Sequence, residues 1–384
     1  MAAKRSIFED VDGVKQPPAP QGGMISGKGE GARRAIRAWL WVLFVMVAAI
    51  IVVGGLTRLT GSGLSITEWR PILGALPPMG EAQWLAEFAK YKEIPQYELV
   101  NKGMTLEAFQ AIYWWEWGHR QLGRAVGLVW AVGFLGFWLT GKIPTGWTGR
   151  LLLIGVLGGL QGAIGWWMVS SGLSGEMVRV ASYRLAVHLG LAFVILGFIA
   201  WYAMLLSRSE SALLQARRGR EAKLFSMSTG MMHFCFLQLL LGALVAGINA
   251  GTAFPTWPDM NGEFFPSNAF YVPDGGATWR AFFENEGLVQ FMHRMAAYGL
   301  AIFGLVTFIK SRRSVYSATR TAFLAMFCVL FLQVVIGIGT ALSGAHMHAA
   351  ITHQLVAIVL WVAIIRARFL SQYPIAGSIR AGTQ

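Results

Sequence analysis

Among the residues able to do metal or redox chemistry, the seven histidines stand out, and four of them recur in a pattern. His119 lies in Gly118-His119-Arg120, and His293 lies in Met292-His293-Arg294, 174 residues later. His188 and His353 each stand near the start of a long apolar run, 165 residues apart. A polar, ionisable group in such a run is costly in a membrane and marks a site by default. A single histidine there could equally serve a helix–helix hydrogen bond, but that explanation would have to arise twice at matching positions. Two imidazoles at one depth on facing helices can clamp a haem iron from both sides. Zinc or a di-iron centre would need further Cys ligands or Glu-x-x-His pairs in both halves, and the sequence lacks them. His233 has no counterpart. His346 and His348 form an H-x-H pair in an expected outer loop, a weaker metal signal.

The two pairs differ in their company. Glu116 precedes His119 by three residues in WWEWGHRQLGR, a spacing that shares a helix face. The matching residue before His293 is Gln290, which cannot ionise. The asymmetry suggests that one pair holds a permanent cofactor and the other does chemistry. Arg58, Arg120, Arg124 and Arg294 lie near the same level. Either they snorkel to the interface or they pair with haem propionates.

The elements that must carry these residues are apolar blocks. The chain is 55% hydrophobic and 13% charged, where a soluble domain holds nearer a quarter charged. Blocks of about 20 residues, enough to cross the hydrocarbon core, run over 38–56, 118–139, 151–169, 183–206, 225–248, 288–309, 322–342 and 350–370. Lipid offers no partner to an open sheet edge, so helix is the expectation. The 46 glycines and 16 tryptophans suit close helix packing and interfacial anchoring. The fold class is thus an all-α integral membrane protein of eight transmembrane helices, arranged as two pseudo-symmetric four-helix bundles in tandem. The repeat supports this: LQGAIG from Leu160 in the third span matches LQVVIG from Leu332 in the seventh. An even number of spans gives both halves one orientation.

The expected organisation is a tail over 1–34, a first half over 35–207, a linker over 208–224, a second half over 225–370 and a tail over 371–384. With the N-terminus inside, inner segments hold 21 Lys and Arg and outer loops hold 8. Acidic residues run the other way, 6 inside and 13 outside. Both termini are therefore expected in the cytoplasm, with the histidine pairs near the outer face. This placement accounts for the net charge of +13 without nucleic acid. The tail has no apolar core of its own and carries Glu9, Asp10 and Asp12, unlike a secretory signal or a mitochondrial transit peptide. A bacterial inner membrane is the expected location. Cys235 and Cys328 fall inside spans, as small apolar fillers. The long outer loops, 57–117 and 250–287, are rich in Trp, Tyr and Pro and should form short amphipathic helices or a lid.

Several of these segments resemble the haem A synthase family, over roughly residues 35–370. They are GGLTRLTGSGLSITEWRP after the first span, EWGHRQLGR on the second, the LQ-x-x-x-G runs, TWPDMNG in the fifth loop and Gln290 to Arg294. The resemblance implies oxidation of the C8 methyl of haem O to a formyl group by successive hydroxylations, for cytochrome oxidase. It implies that His293 and His353 hold haem b, that His119 and His188 face the substrate haem, and that Glu116 is the family's glutamate, as proton acceptor or as stabiliser of a developing cation. It also implies haem O as substrate, an unidentified electron donor, and haem O synthase, cytochrome oxidase assembly factors and a second copy of the chain as candidate partners. Some members carry a cysteine pair in the outer loops; this sequence has none and looks like the proteobacterial and mitochondrial branch. Two other readings stay open on the residues alone. One is a di-haem cytochrome b of an electron-transfer chain. The other is a transporter, since parallel repeats are common there.

Overall fold

The computed structural model describes residues 30–272 and 275–375; most of the expected tail over 1–34 and of that over 371–384 lies outside the described residues. Among the described residues the protein is helical, with no strand. Eight helices are long and apolar enough to cross a membrane: α1 (Glu30–Leu59), α4 (Leu106–Leu139), α5 (Thr148–Ser170), α6 (Ser182–Leu206), α8 (Ala222–Gly247), α10 (Glu286–Ser311), α11 (Ser317–Leu342) and α12 (Met347–Gln372). Each expected span is present. Four shorter helices lie between them: α2 (Glu81–Lys92), α3 (Pro95–Leu99), α7 (Glu210–Arg218) and α9 (Ala281–Glu284).

Three boundaries depart from expectation. Helix α1 starts at Glu30, inside the stretch read as tail, because Arg33 reaches across to the carbonyl of Arg208 at 2.7 Å and ties its first turn down. The segment read as a linker contains α7, whose Ser209 caps the first turn by accepting from Ala212 N at 3.2 Å. Helix α4 begins twelve residues before the apolar block. Thr105 caps it, and Glu107, Gln110 and Glu116 break the run that hydropathy would detect. That extra length packs on the loop after α1. Phe109 stacks on Phe88 of α2 at 4.9 Å, and Tyr91 accepts from Asn101 at 2.7 Å.

The helices pack in a definite order. Helix α1 contacts α4, α4 contacts α5, α5 contacts α6, and α6 returns to α1. Helices α8, α10, α11 and α12 close a second ring in the same sequence. Between the rings, α6 packs on α8 and α12, and α1 packs on α12. Lipid tails give helices no hydrophobic reason to associate, so close approach at small residues and interhelical hydrogen bonds must do it. One device recurs three times. The indole of Trp39 lies across Gly133 and donates to Val129 O at 3.0 Å. Trp130 does the same at Gly155 and Leu151 O (3.1 Å), and Trp361 at Gly197 and Phe193 O (2.9 Å). In each case the accepting carbonyl is four residues before the glycine. Such bonds are worth only about 0.6 kcal/mol each in a membrane, so the packing they permit matters more.

Candidate functional site: two histidine pairs

Each of the four repeated histidines lies against a glycine on the helix before it. His119 of α4 faces Gly54 of α1, and His188 of α6 faces Gly165 of α5. His293 of α10 faces Gly242 of α8, and His353 of α12 faces Gly337 of α11. A Cβ at these glycines would sit 3.0, 2.9, 3.1 and 2.9 Å from the imidazoles. Any larger residue would push the ring away. Every one of these glycines is five residues before the end of its helix, so the four contacts share a level. The histidines are half-buried.

Within each ring the histidines come together. The His293 and His353 ring centroids are 6.5 Å apart, with planes at 81°. His119 and His188 hold the corresponding places on α4 and α6, across the first ring. A metal–imidazole nitrogen bond is about 2.0–2.1 Å, which puts two imidazoles on opposite sides of one ion at roughly 6–6.5 Å between centroids. The His293–His353 spacing fits that arrangement. His346 and His348 are elsewhere, exposed at the start of α12 with centroids 5.3 Å apart, and His233 is exposed in the middle of α8. No cluster of three or more metal-ligating side chains occurs among the described residues. Cys235 is buried in the core and Cys328 is exposed, both as free thiols.

Glu116 is buried, 3% exposed, and all its lone pairs are engaged. Oε1 accepts from Arg120 Nη2 at 2.6 Å and Nε at 3.1 Å. Oε2 accepts from Ser65 Oγ at 2.8 Å and Ile66 N at 2.9 Å. Arg120 spends its remaining donors on the carbonyls of Ile66 (2.8 Å) and Glu68 (3.0 Å). The second ring repeats the plan without the charge. Arg294 donates to Phe254 O at 2.9 Å and Asp259 O at 2.8 Å, and Gln290 donates to Phe254 O at 3.4 Å. The residue after each of these two histidines thus pins the backbone of the loop above its own pair. Arg124 likewise holds Arg70 O and Pro71 O. Arg58 donates to Asn249 Oδ1 at 3.0 Å, linking α1 to the turn after α8.

Sequence reading named the histidines but not what they lie on. Gly54 and Gly242 were not distinguished among 46 glycines. The signal was present for one of them: Leu237 to Gly242 reads LQLLLG, a third copy of the LQ-x-x-x-G run.

A family model described as a cytochrome oxidase assembly protein (COX15-CtaA) matches residues 37–365. Curated relatives named haem A synthase match over nearly their whole length. One from Cereibacter sphaeroides is 60% identical, covering 99% of both chains. One from Ruegeria sp. is 61% identical and one from Paracoccus denitrificans 60%, each over 98% of this chain and 99% of the relative. With eight spanning helices, two repeated histidine pairs and this match, the chain belongs to the COX15-CtaA family of cytochrome oxidase assembly proteins.

Proposed function

We propose that the protein is a membrane-bound haem A synthase, an oxidoreductase that converts haem O to haem A for cytochrome oxidase. In this reading each ring of four helices is one functional half. His293 and His353 hold a resident haem b, and His119 and His188 receive haem O as substrate. The observation that carries the division is the contrast between the pairs: a buried anionic Glu116 stands one turn before His119, and a neutral Gln290 stands at the matching place. The residues fit the cofactor. The 6.5 Å centroid spacing suits one ion between the rings, and His353 Nδ1 and Gln333 Oε1 are buried polar atoms without a partner in the protein. A resident haem supplies one-electron redox chemistry that side chains lack.

The protein's own groups have narrower tasks. Arg120, Glu116, Ser65 and Ile66 form a closed network that holds the 62–70 segment above the first pair. Its four bonds from Arg120, Ser65 and Ile66 fix the Glu116 carboxyl group in one place. The geometry therefore favours a fixed anion, which stabilises positive charge developing nearby, over a general base. Arg58, with donors left after Asn249, is the best placed of the four arginines to meet a haem propionate. Expression in a bacterium that makes haem O but no haem A tests the activity directly. Haem A should appear in membrane extracts; haem O alone would reject the reading.

The charge distribution supports an orientation with the histidine ends outside. A reporter fused after Lys142, between α4 and α5, should be cytoplasmic, and one near Asn261 extracytoplasmic. The opposite result at either site would invert the orientation. The glycine contacts give a second expectation. Gly337→Val should drive His353 out of line and lower haem content per protein, whereas Gly339→Val, where nothing lies within 4 Å, should not.

A further inference from the structure

Three of the four histidines share one more neighbour. Gln161, Gln238 and Gln333 stand four residues before Gly165, Gly242 and Gly337, on the same helix face. Their Nε2 atoms donate to the backbone carbonyls of His188, His293 and His353 at 3.0, 3.0 and 3.1 Å. The same atoms lie beside the rings, 3.2 Å from His188 Nδ1, 3.1 Å from His293 Nδ1 and 3.4 Å from His353 Nε2. In all three glutamines Oε1 is buried and has no partner. A histidine that ligates metal through one nitrogen donates the other N–H to an acceptor, which fixes the ring. In all three, the amide that donates to the histidine carbonyl also lies against the ring and holds it in place.

The fourth position breaks the rule. Four residues before Gly54 stands Ile50. Its side chain points at the same neighbour: Cδ1 lies 3.5 Å from where a Cβ on Gly123 would be, one turn beyond His119. His119 has no side-chain hydrogen bond among the described residues. Its ring is also turned differently. Nε2 is its nearest atom to the glycine, whereas Cε1 is nearest in the other three.

We propose that Ile50 leaves His119 untethered so that it can release a haem iron, while Gln161, Gln238 and Gln333 are positioning residues that keep the other three histidines in place. This rests on the assignment of the first pair to substrate haem. One fixed and one releasable ligand lets haem O enter and haem A leave. Two fixed ligands retain a cofactor. The isoleucine sets exchange against retention, and the two halves differ in function partly through one side chain.

The test is the rate at which the detergent-purified full chain, loaded with haem O, gives up that haem to a scavenging apoglobin. Losing such a neighbour typically costs 10–100-fold in metal affinity. Ile50→Gln should therefore slow haem O release by about tenfold or more and sharpen the low-spin bis-histidine signal of the first site. Its haem b content should not change, which separates a tether from general tightening of the bundle. Gln161→Leu should speed haem O release by a similar factor, and Gln238→Leu should loosen haem b alone. Release at the wild-type rate from Ile50→Gln overturns the proposal. If that variant does not insert, unchanged release from Gln161→Leu overturns it equally. Wild-type protein that takes up no haem O refutes the substrate assignment instead, and shows this before any variant is made.

Discussion

Purified protein carrying His293→Ala or His353→Ala should lose most of its haem b, while His119→Ala and His188→Ala should keep most of it. The two rings have the same scaffold, so the difference must come from what each pair holds. His293 and His353 are both backed by a glutamine and a glycine, and their 6.5 Å centroid spacing suits one iron between them. Removing a direct ligand should exceed the 10–100-fold loss of affinity that follows from removing a supporting neighbour. Haem per protein after size exclusion measures this. Equal loss from all four variants would erase the assignment of a resident haem to the second pair.

The second large effect is at Glu116. Glu116→Ala should insert, keep haem b and make little haem A, with haem O or a hydroxylated intermediate accumulating. A positioned group that stabilises developing charge is worth ~10²–10³ in rate. An interfacial glutamate with no role would cost little. The substitution also leaves the Arg120 guanidinium without its carboxylate. Breaking a buried pair from one side can cost about 3–5 kcal/mol, so haem b content at matched protein level is the control for folding. Glu116→Gln keeps the shape and can still accept from Ser65 or Ile66, but loses the charge. It imitates Gln290 of the second ring. Poor haem A yield from Glu116→Gln would separate charge from shape. A yield near wild type from Glu116→Ala would leave the acid as a loop anchor only.

Much of the membrane architecture was legible in the sequence because long apolar runs have few alternatives in lipid. All eight spans and both members of each histidine pair came from hydropathy and repeat alone. The length of α4 did not, because Glu107, Gln110 and Glu116 interrupt the apolar run while the helix packs on α2 rather than on lipid. The roles open to Arg120, Arg124 and Arg294 were snorkelling or propionate binding. Neither anticipates a guanidinium that bonds carbonyls some 35 to 54 residues away in the chain. Such partners lie on irregular loops, where no periodicity announces them. The glycines under the histidines were hidden for a different reason. A glycine that permits close approach looks the same in sequence as one that fills a turn, and only its neighbour tells them apart.

In the proposed function the two histidine pairs hold different haems, one resident and one in transit. Extraction and mass identification of the haems in the purified protein, expressed with and without a supply of haem O, tests it most directly. About one haem b per chain is expected under both conditions, joined by haem O or haem A only when haem O is supplied. Two tightly held b-type haems regardless of supply, or no haem at all, would contradict it.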